Sequence, residues 1–139
     1  MEKSEQLKEI TQGFVNALLK AEHDYYAQHI SQQEGVVMIG SDDREWAEGY
    51  QSITERLRPI TENMQGCTTT DFYTQAYQQG NFGLSVSKFT LCIPNGTKVP
   101  MRLTMAFTQE KGKWKVIQWH DSVGVPNEAS MGEDFVGDD

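Results

Sequence analysis

The chain has 139 residues, 37% hydrophobic and 23% charged, enough for one ordinary domain that buries roughly two-thirds of its unfolded surface and too little for two. Its formal charge is −8, but Glu128, Glu133, Asp134, Asp138 and Asp139 all follow Pro126 with no base among them, so the remainder carries only −3. With no dense Lys/Arg stripe, no apolar run near the ~18 residues of a membrane span and no signal-peptide core in MEKSEQLKEI, the composition argues against nucleic-acid binding and membrane partners and predicts a soluble, cytoplasmic protein.

From about residue 4 to 32, Leu7, Ile10, Phe14, Leu18 and Tyr25 recur near the 3.6-residue period, which predicts helix with one apolar stripe, capped by Ser4 and broken near His23-Asp24. GVVMIG, Gly35 to Gly40, is a short apolar run between glycines and predicts a buried strand, followed by a turn at Ser41 to Arg44. A second amphipathic helix is expected from about Ala47 to Met64, kinked or restarted by Pro59. After Gly66 the composition turns to Thr, Tyr, Phe and Val. Four strands are expected, over Thr68–Gln78, Phe82–Ile93, Lys98–Glu110 and Lys113–Val123, with a hairpin at Pro94-Asn95-Gly96 and kinks at Gly83 and Pro100. Cys67 and Cys92 fall in or beside strands, without metal-ligand spacing, and are expected to stay reduced. The fold class that follows is α+β: a curved antiparallel sheet wrapped around N-terminal helices in residues 1–127, with 128–139 as an acidic, mobile tail.

Alternation then assigns faces. Met101, Leu103, Met105 and Phe107 form the apolar row of the third long strand, and Arg102, Thr104, Ala106 and Thr108 the opposite row. Laid beside it, the last strand places Lys115, Ile117, Trp119 and Asp121 on the inner face, and Val116, Gln118, His120 and Ser122 on the outer one. A slip of one residue would exchange Asp121 for His120.

A helical start, a short strand ending in Ile-Gly, a helix opening with Trp and Gly, and a closing meander resemble the nuclear transport factor 2 superfamily, specifically its SnoaL-like branch. The resemblance is carried by GVVMIGSDDREWAEGYQSI at Gly35–Ile53 and PMRLTMAFTQEKGKWKVIQWHDSVGVPNE at Pro100–Glu128. The Arg-Leu-Thr strand with Gly-Lys-Trp and His-x-Ser is also similar to the association domain of calmodulin-dependent kinase II. The resemblance implies an α+β cone with an internal pocket, dimerising through its outer sheet face. Members include ketosteroid isomerases, polyketide cyclases, dehydratases and non-catalytic binding or assembly domains, so the fold alone does not assign the function. The tyrosine and second carboxylic acid of the isomerases do not map onto this chain.

Asp121 is the candidate catalytic residue: a carboxylate desolvated beside Trp119 and Met105 has a raised pKa and can take a proton α to a carbonyl. The competing readings place it at a solvent-facing mouth or in a pair with Arg44 or Arg102. Trp46, Tyr50, Met105, Phe107, Ile117 and Trp119 are the candidate ligand-binding residues, Trp46 and Tyr50 as a lid over the mouth or as ordinary core. His120, Ser122, Gln118, Thr104 and Arg102 are expected in an outer hydrogen-bonding network or a dimer interface. No Gly-x-Ser-x-Gly elbow accompanies Ser122. Asp42, Asp43 and Glu45 lack the rest of a calcium loop, and His23, His29 and His120 lack zinc spacing, so no metal or cofactor is expected. The expected partners are an apolar small molecule and a second copy of the chain. Three functions remain open: a binding module for that molecule, a cofactor-independent isomerase, cyclase or dehydratase acting through Asp121, and an assembly domain.

Overall fold

A computed structural model of the chain describes residues 1–134. Strand β1 (Glu2–Lys3) leads into Ser4, whose hydroxyl accepts the Leu7 amide at 3.2 Å and caps α1 (Glu5–Lys20) as its sequence predicts. The apolar stripe of α1, including Leu7, Phe14, Val15 and Leu18, is buried. The helix stops where Ala21 turns left-handed at φ 54°, two residues before the expected break, and α2 (His23–His29) follows.

Strand β2 (Val37–Ile39) forms within the apolar run, as expected. The next segment departs from expectation. Trp46–Glu48 is not the first turn of a helix but a strand, β3, antiparallel to β2 with Ala47 buried opposite Met38. Gly49 supplies the positive φ of 90° that turns the chain from β3 into α3 (Tyr50–Asn63). That helix runs through Pro59 without a break. The long strands are β4 (Thr68–Gln79), β5 (Phe82–Cys92), β6 (Lys98–Glu110) and β7 (Lys113–Val123). They pair as an antiparallel meander inside a sheet ordered β1-β4-β5-β6-β7-β2-β3, where β2 joins β7 in parallel. The sheet is curved and unclosed, and the helices lie against its inner side. Among the described residues no helix is long and apolar enough to cross a membrane.

Register irregularities lie between Thr70 and Tyr73 and at Ala106/Phe107, not at Gly83 or Pro100. Gly83 has a different purpose: a Cβ there would meet Leu7 Cδ1 at 2.3 Å, so its bare backbone lets α1 sit down on β5. The irregularity in β7 corrects the predicted faces. Phe107 pairs with Val116 and Ala106 with Gln118, which leaves Ile117 as an extra residue. Trp114 and Val116 point inward before the bulge, and Trp119 and Asp121 after it. Val116 is therefore core, whereas the sequence alternation put it outside with Gln118.

Strand β5 inverts the usual polarity. Its inner row carries Ser85 and Ser87, both buried and hydrogen-bonded to Thr11 and Thr74 at 2.8 and 3.1 Å. Its outer row carries Phe82, Leu84 and Val86, which are exposed. Where the expected tail begins, at 128, the chain forms a short helix, α4 (Asn127–Met131), and residues 135–139 of that tail lie outside the described residues.

Candidate functional site

Because β2 runs parallel to β7 with Ile39 opposite His120, the chain leaves β2 at Gly40 beside Asp121. The loop from Gly40 to Glu45 and the end of β7 thus meet over the inner face of the sheet. Between them and α3 lies a cavity of about 560 Å³, within the ~300–1,000 Å³ of small-molecule sites. Its walls are mainly apolar: Leu18 from α1, Leu57 and Ile60 from α3, Phe89 and Leu91 from β5, and Met101 from β6.

Asp121 lines this cavity, on the same face as Trp119 and opposite Leu103 of β6. The Trp119 Nε1–H donates to Asp121 Oδ2 at 2.9 Å. Burial pushes the Asp121 carboxyl up to about 7, the Trp119 hydrogen bond pulls it back, and the charge of Glu45 adds a smaller upward push. Asp121 stays partly accessible, on the surface that lines the cavity. The proposed arginine partners are engaged elsewhere. Arg44 grips Asp42 through Nε and Nη2 at 2.9 and 3.0 Å, holding that carboxyl well below the usual carboxylate range, and Arg102 Nε donates to Ser122 Oγ at 3.2 Å.

Glu45, read from the sequence as part of a solvated acidic turn, also lines the cavity. Its Oε1 accepts the Asp42 amide at 2.9 Å, and its side chain lies across Gly40, where a Cβ would come within 2.6 Å of Glu45 Cβ. The signal that could have found it is the glycine five residues earlier, which only makes sense if something packs on it. The α3 wall was legible as an apolar stripe, but not that part of the stripe faces a void.

The remaining predicted residues are dispersed. Of the six candidate ligand-binding residues, Trp119 alone is on the cavity lining. Met105 and Phe107 are buried in the core, Ile117 is the bulge residue, and Trp46 is 60% exposed on β3, the edge strand. Tyr50 donates its hydroxyl to the Ala27 carbonyl at 3.2 Å, which ties α3 to α2. Trp46 and Tyr50 form no lid: the first belongs to a strand at the sheet edge, the second to a helix contact. His120, Gln118, Thr104 and Arg102 are exposed on the outer face, with Thr104 opposite His120, and Ser122 joins them through Arg102. Cys67 and Cys92 are both free.

A family model described as SnoaL-like domain matches residues 7–126. No curated protein matches the chain. Solved structures share its architecture at low identity. An NTF2-like protein of unknown function from Pseudomonas putida KT2440 is 13% identical with a TM-score of 0.73, over 89% of this chain and 88% of that one. A provisionally assigned ketosteroid isomerase from Shewanella frigidimarina is 15% identical with a TM-score of 0.71, over 82% and 92%. A provisionally assigned calcium/calmodulin-dependent protein kinase II association domain from Xanthomonas campestris is 18% identical with a TM-score of 0.67, over 89% and 95%. At such identities the likeness establishes the α+β cone and nothing finer. With the family model spanning nearly the whole described domain, the chain belongs to the SnoaL-like domain family.

Proposed function

We propose that this domain binds an apolar small molecule in the cavity, with Asp121 as the polar anchor. The observation that carries this reading is a cavity of about 560 Å³ with mainly apolar walls and one largely desolvated carboxyl on its lining. The test is uptake of a neutral fluorescent probe, N-phenyl-1-naphthylamine, by wild type and by Leu91→Trp. Leu91 lines the cavity and is only partly buried, so the indole fills the void rather than the close-packed core. Wild type is expected to take up the probe at one site and the variant to lose more than about tenfold in affinity. Equal binding by the two proteins, or none by wild type, rejects the reading.

A second reading is favoured by the same carboxyl. A group that titrates near neutrality is matched to proton transfer, so Asp121 would serve as general base in a cofactor-independent isomerase, cyclase or dehydratase acting on a carbonyl compound.

The outer sheet face supports pairing with a second copy. Phe82, Leu84 and Val86 of β5 and Tyr73 of β4 are 40–53% exposed, an apolar strip in the middle of a sheet whose matching inner positions hold serines. An isologous dimer would lay this strip on its own copy, with Gln118, Thr104 and His120 on adjacent strands. Sedimentation equilibrium is expected to give twice the 15.8 kDa chain mass. Leu84→Glu should return it to the monomer, and His120→Ala should weaken it; a wild-type monomer at micromolar concentration contradicts the dimer.

A further inference from the structure

The hydrogen-bonding groups of the cavity are unequally divided. On the Asp121 side two carboxyl groups, Asp121 and Glu45, keep acceptors open. Oδ2 takes the Trp119 N–H and leaves Oδ1 open, while Glu45 Oε1 takes the Asp42 amide and leaves Oε2 open. The Trp119 indole is used on Asp121, the Asp42 amide on Glu45, and the Arg44 Nε and Nη2 on Asp42; the remaining Arg44 N–H groups and the Ser41 hydroxyl belong to exposed residues of the Gly40–Glu45 loop. The walls contributed by α1, β5 and β6, including Leu18, Phe89, Leu91 and Met101, are apolar. Arg56 and Asn63 line the cavity too, but both are exposed and belong to α3.

A ligand that presents only acceptors beside Asp121 sets lone pairs against lone pairs once that carboxyl has lost its proton. A ligand that presents N–H donors completes the set and compensates charge taken out of water. We propose that the ligand of this cavity carries a protonated amine on an apolar body, with the ammonium seated between Asp121 and Glu45. The inference rests on the reading of the cavity as a ligand site. Its placement follows from the backbone: Gly40 brings the Glu45 side chain to the end of β2, next to Asp121 on the parallel strand β7.

Proton exchange accompanies such binding. The charged groups that face the site are Glu45, the Arg44–Asp42 pair and, from α3, Arg56; α1, β5 and β6 contribute no charge to the lining. An ammonium arriving beside Asp121 favours its ionised form, so near neutral pH uptake expels part of a proton from the carboxyl into buffer. No bond is made or broken other than that O–H.

The test is isothermal titration of the full chain at pH 7 with n-octylammonium, n-octanol and n-octanoate, repeated in buffers of different ionisation heat. Octylammonium is expected to bind about tenfold or more tightly than octanol, with octanoate weakest and with proton release visible as a buffer-dependent heat. In Asp121→Asn the preference for the amine over octanol should shrink to about threefold or less and the buffer dependence disappear, and Glu45→Gln should lose part of the preference. If octanol or octanoate binds as tightly as the amine, the amine proposal is wrong and the cavity reading stands. If none of the three binds, both fall.

Discussion

Asp121→Asn should be more stable than wild type at pH 8, by about 2–4 kcal/mol, and no more stable at pH 4. The reason is the sign of the carboxyl's shift. Its folded value, about 7, lies above its ordinary 3.8, because burial makes the ionised form expensive. Below both values the group is neutral whether the chain is folded or not, and contributes nothing. Between about 4 and 7 the folded chain keeps a proton that the unfolded chain has released, so stability falls as pH rises through that window. Above it the full deficit is present, at about 1.4 kcal/mol for each unit of displacement. Asparagine abolishes the deficit while its side-chain oxygen still accepts the Trp119 N–H. Against the ~5–15 kcal/mol that holds a typical domain together, this is a large change for one isosteric replacement. Urea unfolding at pH 4 and pH 8 measures it, and a carboxyl NMR titration locates the midpoint directly. A difference between the two proteins that does not vary with pH would show that Asp121 is an ordinary rim carboxylate. If the domain is an enzyme, the same variant should lose turnover while gaining stability, and full activity in Asp121→Asn ends the general-base reading.

Trp119→Ala is expected to cost about 3–5 kcal/mol, and Trp119→Phe about 1–2 kcal/mol together with a rise in the Asp121 midpoint above about 7. Trp119 is 2% exposed, stands edge-on to Phe14 with ring centroids 5.3 Å apart, and sits opposite Met105. Alanine enlarges the existing cavity by most of an indole and removes the edge-to-face contact between β7 and α1. Phenylalanine keeps much of the packing but has no N–H, so Asp121 loses the one hydrogen bond that opposes its desolvation. The two effects separate by method: urea unfolding reads the packing loss in both variants, and the carboxyl titration reads the lost donor. An Asp121 midpoint that stays put or falls in Trp119→Phe would mean that the indole is not the group supporting the carboxylate.

Much of the site was legible in local pattern. The period of two in β6 puts Leu103, Met105 and Phe107 inside, and the last third of β7 puts Trp119 and Asp121 beside them, because both strands are long and carry one apolar face each. Likewise α1 announces itself through its stripe and its Ser4 cap. Patterns failed where the feature has no period. Three residues of β3 are too few to alternate, and Trp46-Ala47-Glu48 reads as well for the start of a helix as for an edge strand until β2 pairs with it. A bulge is likewise invisible in one strand, since Ile117 becomes the extra residue only when Ala106 and Phe107 claim its neighbours. Inverted polarity in β5 was present in the letters, but serines inside and leucine outside gain meaning only when Thr11 and Thr74 are seen to satisfy the buried hydroxyls.

The division is therefore one of range. The long helices and strands, their order, the inward Trp119–Asp121 face and the SnoaL-like cone follow from the sequence, because helix and strand periods, caps and turn residues act over a few neighbours and are written consecutively. The meeting of Glu45 with Asp121, the walls from α3 and β5, and the dispersal of Trp46, Tyr50, Met105 and Phe107 away from the cavity were decided by tertiary structure. Those outcomes depend on a parallel pairing between residues about eighty positions apart and on volume left unfilled between elements, and neither is encoded in any single stretch of chain.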